Sequence, residues 1–256
     1  MNDEDANEFD LQHEEDKRPD PKPRKNPHLW QSYLWWNELV EMRKRHDLRI
    51  ASIDAGKSNL DVEFEYKVKE KMNLDNLIED AKKEMIGYGR DILDVWEWVT
   101  SIKGLKAGSL AAQLLAQIDD ISLAPTVSAL WRYCGQAVID GKAERNVKGE
   151  KSHFNRRLKS ICWLISEQFI RQQTKLYVDI YYVEKERQRL LHPEKIKVDG
   201  KWKYNDGHLH NMAKRKMVKI FLQHLWLKWR KYEGLPVSNP YVIDIMGHSK
   251  YIEPGE

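Results

Sequence analysis

The sequence contains little cysteine, with only Cys134 and Cys162 among 256 residues. Both stand in apolar, helix-like stretches, so we expect reduced, buried thiols and not a disulfide framework. No run of about 18 apolar residues occurs, which argues against a membrane-spanning helix. The acidic first residues do not resemble a secretory signal. Together these absences predict a cytoplasmic protein that does not insert into a membrane.

The sequence contains only incomplete motifs for a metal site and for a nucleotide-binding site. His208 and His210 are close in sequence, with His192 and His224 not far away. No cysteine pair or spaced carboxylate completes a set of four ligands. Residues 51–58 differ from a phosphate-binding loop at its first glycine, and the preceding residues are helical in character instead of forming a strand. We therefore expect no metal and no cofactor.

Charge is abundant but unevenly spread, although the formal net charge is only +3. Residues 1–20 hold nine acidic and two basic residues. Residues 142–159 hold seven basic and two acidic residues, and residues 207–232 hold seven basic and no acidic residues. A single charge run is usually a solvated helix face. Two basic runs together with an acidic segment elsewhere favour a polyanion partner.

The pattern of apolar residues predicts an all-α fold in four parts. Residues 1–27 are charged and end in a proline-rich stretch, so we expect disorder there. Residues 28–95 predict a two-helix, coiled-coil-like arm whose apolar stripe would serve as an intramolecular or a homodimer seam, and we expect a homodimer through this arm. Residues 96–236 predict a compact domain, and residues 237–256 form a C-terminal extension.

The spacing also predicts where the helices lie. In the arm we expect one helix over 28–53 and a longer one over about 60–99, with a break at Gly87–Gly89. In the compact domain we expect helices over 109–118, 126–135, 152–190 (two helices) and 208–233. The irregular insert 193–207 predicts a small turn or hairpin.

Residues 102–121, I-K-G-L-K-A-G-S-L-A-A-Q-L-L-A-Q-I-D-D-I, are the most informative stretch. A short apolar turn with two glycines leads into an apolar helix, which is the layout of a helix-hairpin-helix. Glycine permits close approach of the backbone, and a helix N-terminus binds phosphate. An ordinary tight turn between helices is the alternative. The residues expected to contact phosphate here are Lys103, Gly104, Lys106, Gly108 and Ser109.

Four segments after this hairpin follow in a set order. They are T-V-S-A-L-W-R-Y-C-G-Q at 126–136, D-G-K-A-E-R-N-V-K-G-E-K at 140–151, H-F-N-R-R-L-K-S-I-C-W at 153–163 and N-M-A-K-R-K-M-V-K-I-F-L at 211–222. As an ordered set they resemble the C-terminal domain of the transposases of insertion-sequence family 110. Those transposases are serine-type recombinases, some of them guided by a bridging RNA. The resemblance implies a helix-hairpin-helix domain that binds DNA in transposition or recombination.

The chain departs from this family at two positions. Lys106 stands where the family's hairpin has its second glycine, and Asp140 stands where the family has its nucleophilic serine. A carboxylate cannot form the serine-type linkage to DNA. The family's N-terminal nuclease-like domain also has no counterpart before the hairpin. The resemblance therefore implies binding without cleavage. Ser152 is the alternative nucleophile, although capping the next helix is its expected role.

Two further basic strips are expected to contact the DNA backbone with little sequence preference. The strips comprise Lys142, Arg145, Lys148, Lys151, Arg156 and Arg157, and then Lys214, Arg215, Lys216 and Lys219. RNA is an alternative partner to DNA. Two other functions stay open: an active recombinase that uses another nucleophile or a partner nuclease, and a helical protein-interaction or assembly module.

Most aromatic residues fall on the apolar faces of the predicted helices, so we expect them in the core. These residues are Trp131, Tyr133, Trp163, Tyr177, Trp226 and Trp229. Trp202 is the exception, because it stands between Lys201 and Lys203 in the basic insert. It is the one aromatic residue of this group for which contact with a base or a groove stays open as an alternative.

Overall fold

The structure is a computed structural model that describes residues 23–139, 142–145, 149, 152–198 and 201–237. The helices are α1 (Pro27–Asp54), α2 (Val62–Lys71), α3 (Leu74–Ile92), α4 (Trp96–Ser101), α5 (Ser109–Ile118), α6 (Val127–Tyr133), α7 (Arg156–Arg171), α8 (Tyr177–Leu191) and α9 (Asp206–Tyr232). The short strands are β1 (Val138–Ile139), β2 (Lys142–Ala143), β3 (Ile196–Val198) and β4 (Lys201–Lys203). The prediction of a mostly all-α fold is confirmed, with two small antiparallel ribbons added.

The predicted disordered tail overlaps the folded part of the chain at its end. Asn26 is buried, and Pro27 is the first residue of α1. The Asn26 amide nitrogen donates to the Asp119 carboxylate at 2.9 Å, and its side chain donates to the Asp119 carbonyl at 2.8 Å. Residues 1–22 and almost all of the predicted C-terminal extension lie outside the described residues.

The predicted arm forms from α1 and α3, which lie antiparallel. His28 stacks on Tyr88 at one end, and Arg43 bonds Asp75 towards the other. Four aliphatic side chains form a small cluster between the two helices, namely Leu39, Leu74, Ile78 and Ala81. At the other end of the pair, Leu29 and Met85 are part of the main core. The arm therefore shares its core with the rest of the protein.

The predicted long helix over 60–99 is three helices, α2, α3 and α4. The first break follows Lys71, where Asn73 adopts a left-handed conformation with φ of 50°. Gly87 and Gly89, where we expected the break, lie inside α3, so that prediction was wrong. A Cβ atom on Gly89 would lie 2.5 Å from the Trp96 ring. The glycine thus permits α4 to pack closely against α3.

The main core surrounds α5, in which residues 111–118 are all buried. Helices α1, α3, α4 and α7 pack around α5, and α9 packs against α6, α7 and α8. From α9, the buried Phe221 and Trp226 enter this core. The indole nitrogen of Trp226 donates to the Ala124 carbonyl at 2.7 Å. The predicted helix over 109–118 coincides with α5, and the one over 208–233 agrees closely with α9.

The insert 193–207 contains the β3–β4 hairpin, as the sequence predicted. Its pairs are Ile196 with Lys203, Lys197 with Trp202 and Val198 with Lys201. The β1–β2 ribbon was not predicted, because two-residue strands leave no alternating pattern to detect. None of the helices in the described ranges has the length and apolar character needed to cross a membrane.

Candidate nucleic-acid interface

The predicted hairpin forms between α4 and α5, but its first glycine faces the protein. Gly104 has φ of 100°, which an L side chain rarely adopts. A Cβ atom there would lie 3.4 Å from both Phe169 and Thr174. The Thr174 hydroxyl donates to the Lys103 carbonyl at 2.6 Å. The turn is therefore fixed against the connection between α7 and α8.

The second glycine also makes room for the protein itself. Gly108 has φ of 76° and precedes α5, and a Cβ atom there would lie 3.2 Å from Ile86 and from Trp96. Ser109 is the first residue of α5, and its hydroxyl accepts from the Gln113 side chain at 3.2 Å. Lys103 and Lys106 are exposed beside this turn. The packing inside the fold accounts for both glycines without a bound phosphate.

A group of basic residues meets elsewhere, in a cleft of about 970 Å³ that we call the cationic cleft. Its walls are β2 with residues 144–145, the first half of α7, β4 and the first half of α9. Six basic side chains line it: Lys142, Arg145, Lys159, Lys203, Lys214 and Arg215. Glu144 is the one acidic residue among the described residues that line it. Four of the six, Lys142, Arg145, Lys214 and Arg215, were predicted as contacts.

Few of these charges are neutralised within the protein. Lys214 forms an ion pair with Glu167, and Lys159 donates to the Glu144 backbone carbonyl. Among the described residues, no carboxylate forms an ion pair with Arg145 or Arg215. An anionic ligand in the cleft would supply the missing partner.

The cations of the cleft lower one another's pKa. Burial lowers the pKa of Arg215, and the nearby charge of Arg145 lowers it further. Burial also lowers the pKa of Lys159, with repulsion from Arg215 and Arg145 adding to the effect. Burial is again the largest cause at His208, followed by Arg215 and Arg145. Such mutual repulsion produces a strong positive potential that a bound anion would relieve.

Two large aromatic residues are also exposed in the cleft. Trp163 on α7 is 52% exposed and Trp202 on β4 is 60% exposed. The prediction that Trp163 belongs to the core was wrong, because α7 buries its face at Leu158, Ile161 and Ile165 instead. The Lys214 ammonium group lies 4.5 Å from the centre of the Trp163 ring.

The other aromatic predictions gave mixed results. Tyr177, Trp226 and Trp229 are buried, as expected. Tyr133 is exposed, so its assignment to the core was wrong, and Trp131 is only half-buried. Tyr133 and Trp131 both lie on α6, a short helix at the edge of the core.

The β3–β4 hairpin is fixed to α9 by a stack of three rings. Tyr204 stacks on His192 with ring centres 3.7 Å apart, and on His208 at 5.5 Å. The Tyr204 backbone nitrogen donates to His208 Nδ1 at 3.0 Å, which places the proton of the neutral ring on Nε2. Trp202 and Lys203 directly precede Tyr204, so the stack positions both at the cleft.

Of the residues that the structure describes, the other predicted basic ones do not line the cleft, namely Lys103, Lys106, Arg156, Arg157, Lys216 and Lys219. Arg156 and Arg157 are exposed at the start of α7, and the charge of Arg157 acts on Tyr33 and Glu41 of α1. Lys216 is exposed on α9, and its charge acts on Glu184 of α8. The described members of the three predicted strips therefore do not all line one cleft.

Several sequence-based assignments of reactive or basic residues fall outside the described part of the chain. They concern Asp140, Lys148 and Lys151. Ser152 is described, and its hydroxyl donates to the Phe154 carbonyl at 3.0 Å. The residue that caps α7 is Asn155, whose side chain accepts from the Leu158 amide at 3.0 Å. The expected capping role of Ser152 was wrong.

Cys134 and Cys162 are free and buried, as predicted. Burial raises the pKa of Cys134 well above its usual value, and a hydrogen bond with Cys162 adds to the rise. The Cys134 thiol therefore stays protonated at neutral pH. Within the described ranges, no group of three or more His, Cys, Asp or Glu residues is placed to hold a metal.

Sequence reasoning missed two cations of the cleft and one of its tryptophans. Lys203 directly follows Trp202, and Lys159 belongs to the basic run that was counted. Lys159 and Trp163 are four residues apart, a spacing that places them on one face of a helix. This spacing could have predicted that α7 presents a cation and an aromatic ring together on the side that forms a wall of the cleft.

Comparison with known proteins identifies no family for this chain. A scan against models of protein families, a search of curated proteins and a search of solved structures each found no match.

Proposed function

We propose that this protein binds nucleic acid, and DNA foremost, by placing the phosphate backbone in the cationic cleft. The observation that supports this most is the convergence of six basic side chains from four segments of the chain on one cleft, where a single acidic residue stands among the described lining residues. A surface that gathers like charges in this way is typical of a polyanion site.

The composition of the cleft favours phosphate as the group that is bound. Arg145 and Arg215 carry planar guanidinium groups that match phosphate oxygens with two parallel hydrogen bonds. Contacts of this kind neutralise the backbone and carry little sequence information. We therefore propose binding with weak sequence preference, in a process such as transposition or recombination, as the motif resemblance implies. RNA is the alternative nucleic acid.

The proposal contains no cleavage step. The resemblance places Asp140 at the position of the family's serine, and a carboxylate does not replace that nucleophile. Ser152, the other hydroxyl considered, is bonded to the Phe154 carbonyl and does not line the cleft. The site of action that fits this function is the cytoplasm, and the nucleoid in a bacterium or archaeon.

A pair of matched double variants tests the cleft. Arg145→Ala with Arg215→Ala removes two arginines from the cleft, whereas Arg156→Ala with Arg157→Ala removes two arginines from another surface. Binding to labelled DNA is measured over a range of salt concentrations by fluorescence anisotropy. For the cleft variant we expect at least about tenfold weaker binding, and a slope of log K against log salt reduced by about 0.9 per lost phosphate contact on duplex DNA.

The control variant should bind within about twofold of the unmodified protein. Equal losses in both variants would show that the predicted strips act together and that the cleft has no special role. Absence of any DNA or RNA binding at about 50 mM salt would refute nucleic-acid binding itself.

A further inference from the structure

The exposed tryptophans of the cationic cleft call for an explanation that charge alone does not supply. An indole is among the largest apolar groups in proteins and normally buries most of its surface. Trp163 and Trp202 instead leave more than half of their side chains uncovered in the same cleft. They come from α7 and β4, so the fold brings two separate segments together to form this pair.

Neighbouring side chains hold the Trp163 ring and the end of the strand that carries Trp202. Lys214, itself paired with Glu167, lies against the Trp163 ring. Trp202 precedes Tyr204, whose ring stacks between His192 and His208. Rings that are positioned before a ligand arrives lose little conformational freedom on binding. Both indoles are therefore suited to act as flat surfaces on which another ring stacks.

The bases of a duplex cover one another, so their flat faces are not accessible from outside. Aromatic side chains in a positively charged groove are instead the arrangement that binds single strands, with phosphates on the cations and bases stacked on the rings. The cationic cleft has a volume of about 970 Å³. This volume is at the upper end of the range for pockets that bind organic ligands, about 300–1,000 Å³. A base together with its sugar and phosphate fits such a space.

We infer that the cationic cleft binds an unpaired segment of a nucleic-acid strand, with a base stacked on Trp202 and a second aromatic contact at Trp163. Arg145 and Arg215 hold the adjoining phosphates. This inference rests on the proposed function and narrows it from nucleic acid in general to unpaired nucleotides. DNA and RNA strands share the required chemistry, namely exposed base faces on a phosphodiester backbone.

The test compares Trp202→Leu with Tyr232→Leu, which removes an aromatic side chain of similar exposure from the end of α9, where the residue does not line the cleft. The probes are an unstructured single-stranded DNA, the corresponding RNA and a blunt DNA duplex of the same length. Trp202→Leu should weaken binding of the single strands by about 5- to 100-fold, the loss of one stacked base. Its affinity for the duplex should change less than twofold, and Tyr232→Leu should alter neither affinity. Circular dichroism verifies that both variants are folded.

Two results would overturn the inference while leaving the proposed function intact. The first is single-strand binding by Trp202→Leu equal to that of the unmodified protein, while Arg145→Ala with Arg215→Ala still loses binding. The second is equal weakening of duplex and single strands, which would indicate a side chain inserted into a duplex groove. If the unmodified protein showed no salt-dependent binding to any of the DNA or RNA probes, the proposed function itself would be refuted. The DNA and RNA probes show which strand is preferred.

Discussion

Keeping Lys219 charged in the folded protein lowers the free energy of unfolding. Its ammonium group lies 4.0 Å from the centre of the Trp131 ring, and the Trp131 indole nitrogen donates to the Lys219 backbone carbonyl at 2.9 Å. Burial lowers the pKa of Lys219 from 10.5 to about 8, with the charges of Lys216 and Arg215 adding to the shift. Lys219 is therefore harder to protonate in the folded protein than in the unfolded chain.

This shift predicts a specific dependence of stability on pH. Between about pH 8 and 10.5 the unfolded chain binds more protons at Lys219 than the folded protein does. The free energy of unfolding therefore rises with pH in that window. Lys219→Met should abolish this contribution and should raise the free energy of unfolding at about pH 7 by about 1–3 kcal/mol. Urea unfolding at about pH 7 and pH 10 measures both effects.

The control for this prediction is Lys216→Met, which removes a neighbouring charge that is exposed. It should change the free energy of unfolding by less than about 0.5 kcal/mol. A gain in Lys219→Met of the same size at both pH values would contradict the attribution to the lowered pKa.

At the scale of the element, α3 contains two glycines with opposite roles. Gly89 is where α4 packs against α3, and a Cβ atom there would lie 2.5 Å from the Trp96 ring, whereas nothing lies within 4 Å of a Cβ atom on Gly87. Gly89→Ala should therefore lower the free energy of unfolding by about 1–3 kcal/mol. Gly87→Ala should raise it by about 0.5–1 kcal/mol, because alanine favours the helix. Thermal unfolding of both variants measures the difference, and a stabilised Gly89→Ala would contradict the proposed packing role.

The helices were predictable where their signals are local. The bounds of α5 followed from its continuous apolar run and the glycine before it, and the β3–β4 hairpin followed from its turn residues. The breaks around α3 were not predictable, because Gly89 reads as a helix breaker until its neighbour Trp96 is known. Exposure on α7 was misjudged for a similar reason, since Trp163 is apolar but lies on the face away from the core.

At the scale of the whole molecule, the candidate site could be predicted only in part. Charge runs identified Lys142, Arg145, Lys214 and Arg215, but which of the predicted cations converge depends on how the helices pack. Successive residues on a helix point about 100° apart, so Arg215 lines the cleft while Lys216 is directed elsewhere. The hairpin had the clearest local motif, yet its glycines pack against the protein's own side chains.

The whole chain is also predicted to form a homodimer through its arm. On α1, Trp35 is 49% exposed and Leu48 is 69% exposed, so the arm presents uncovered apolar side chains. Light scattering should give the mass of two chains. Trp35→Lys with Leu48→Lys should give a monomer, whereas Leu191→Lys, at the end of α8, should not. A monomeric unmodified protein would refute the dimer.

The central position of α9 has a consequence for how the protein is made. Phe221 and Trp226 complete the main core, and α9 packs against α6, yet the ribosome adds these two residues about 90 residues after α6. At roughly 5–20 residues per second, the apolar face of α6 is synthesised about 5–18 s before α9, which covers it. During translation, the nascent chain therefore exposes the surface that mature α9 covers. Chaperone capture and aggregation compete with folding in that interval, so slowing synthesis late in the gene should lower the yield of native protein.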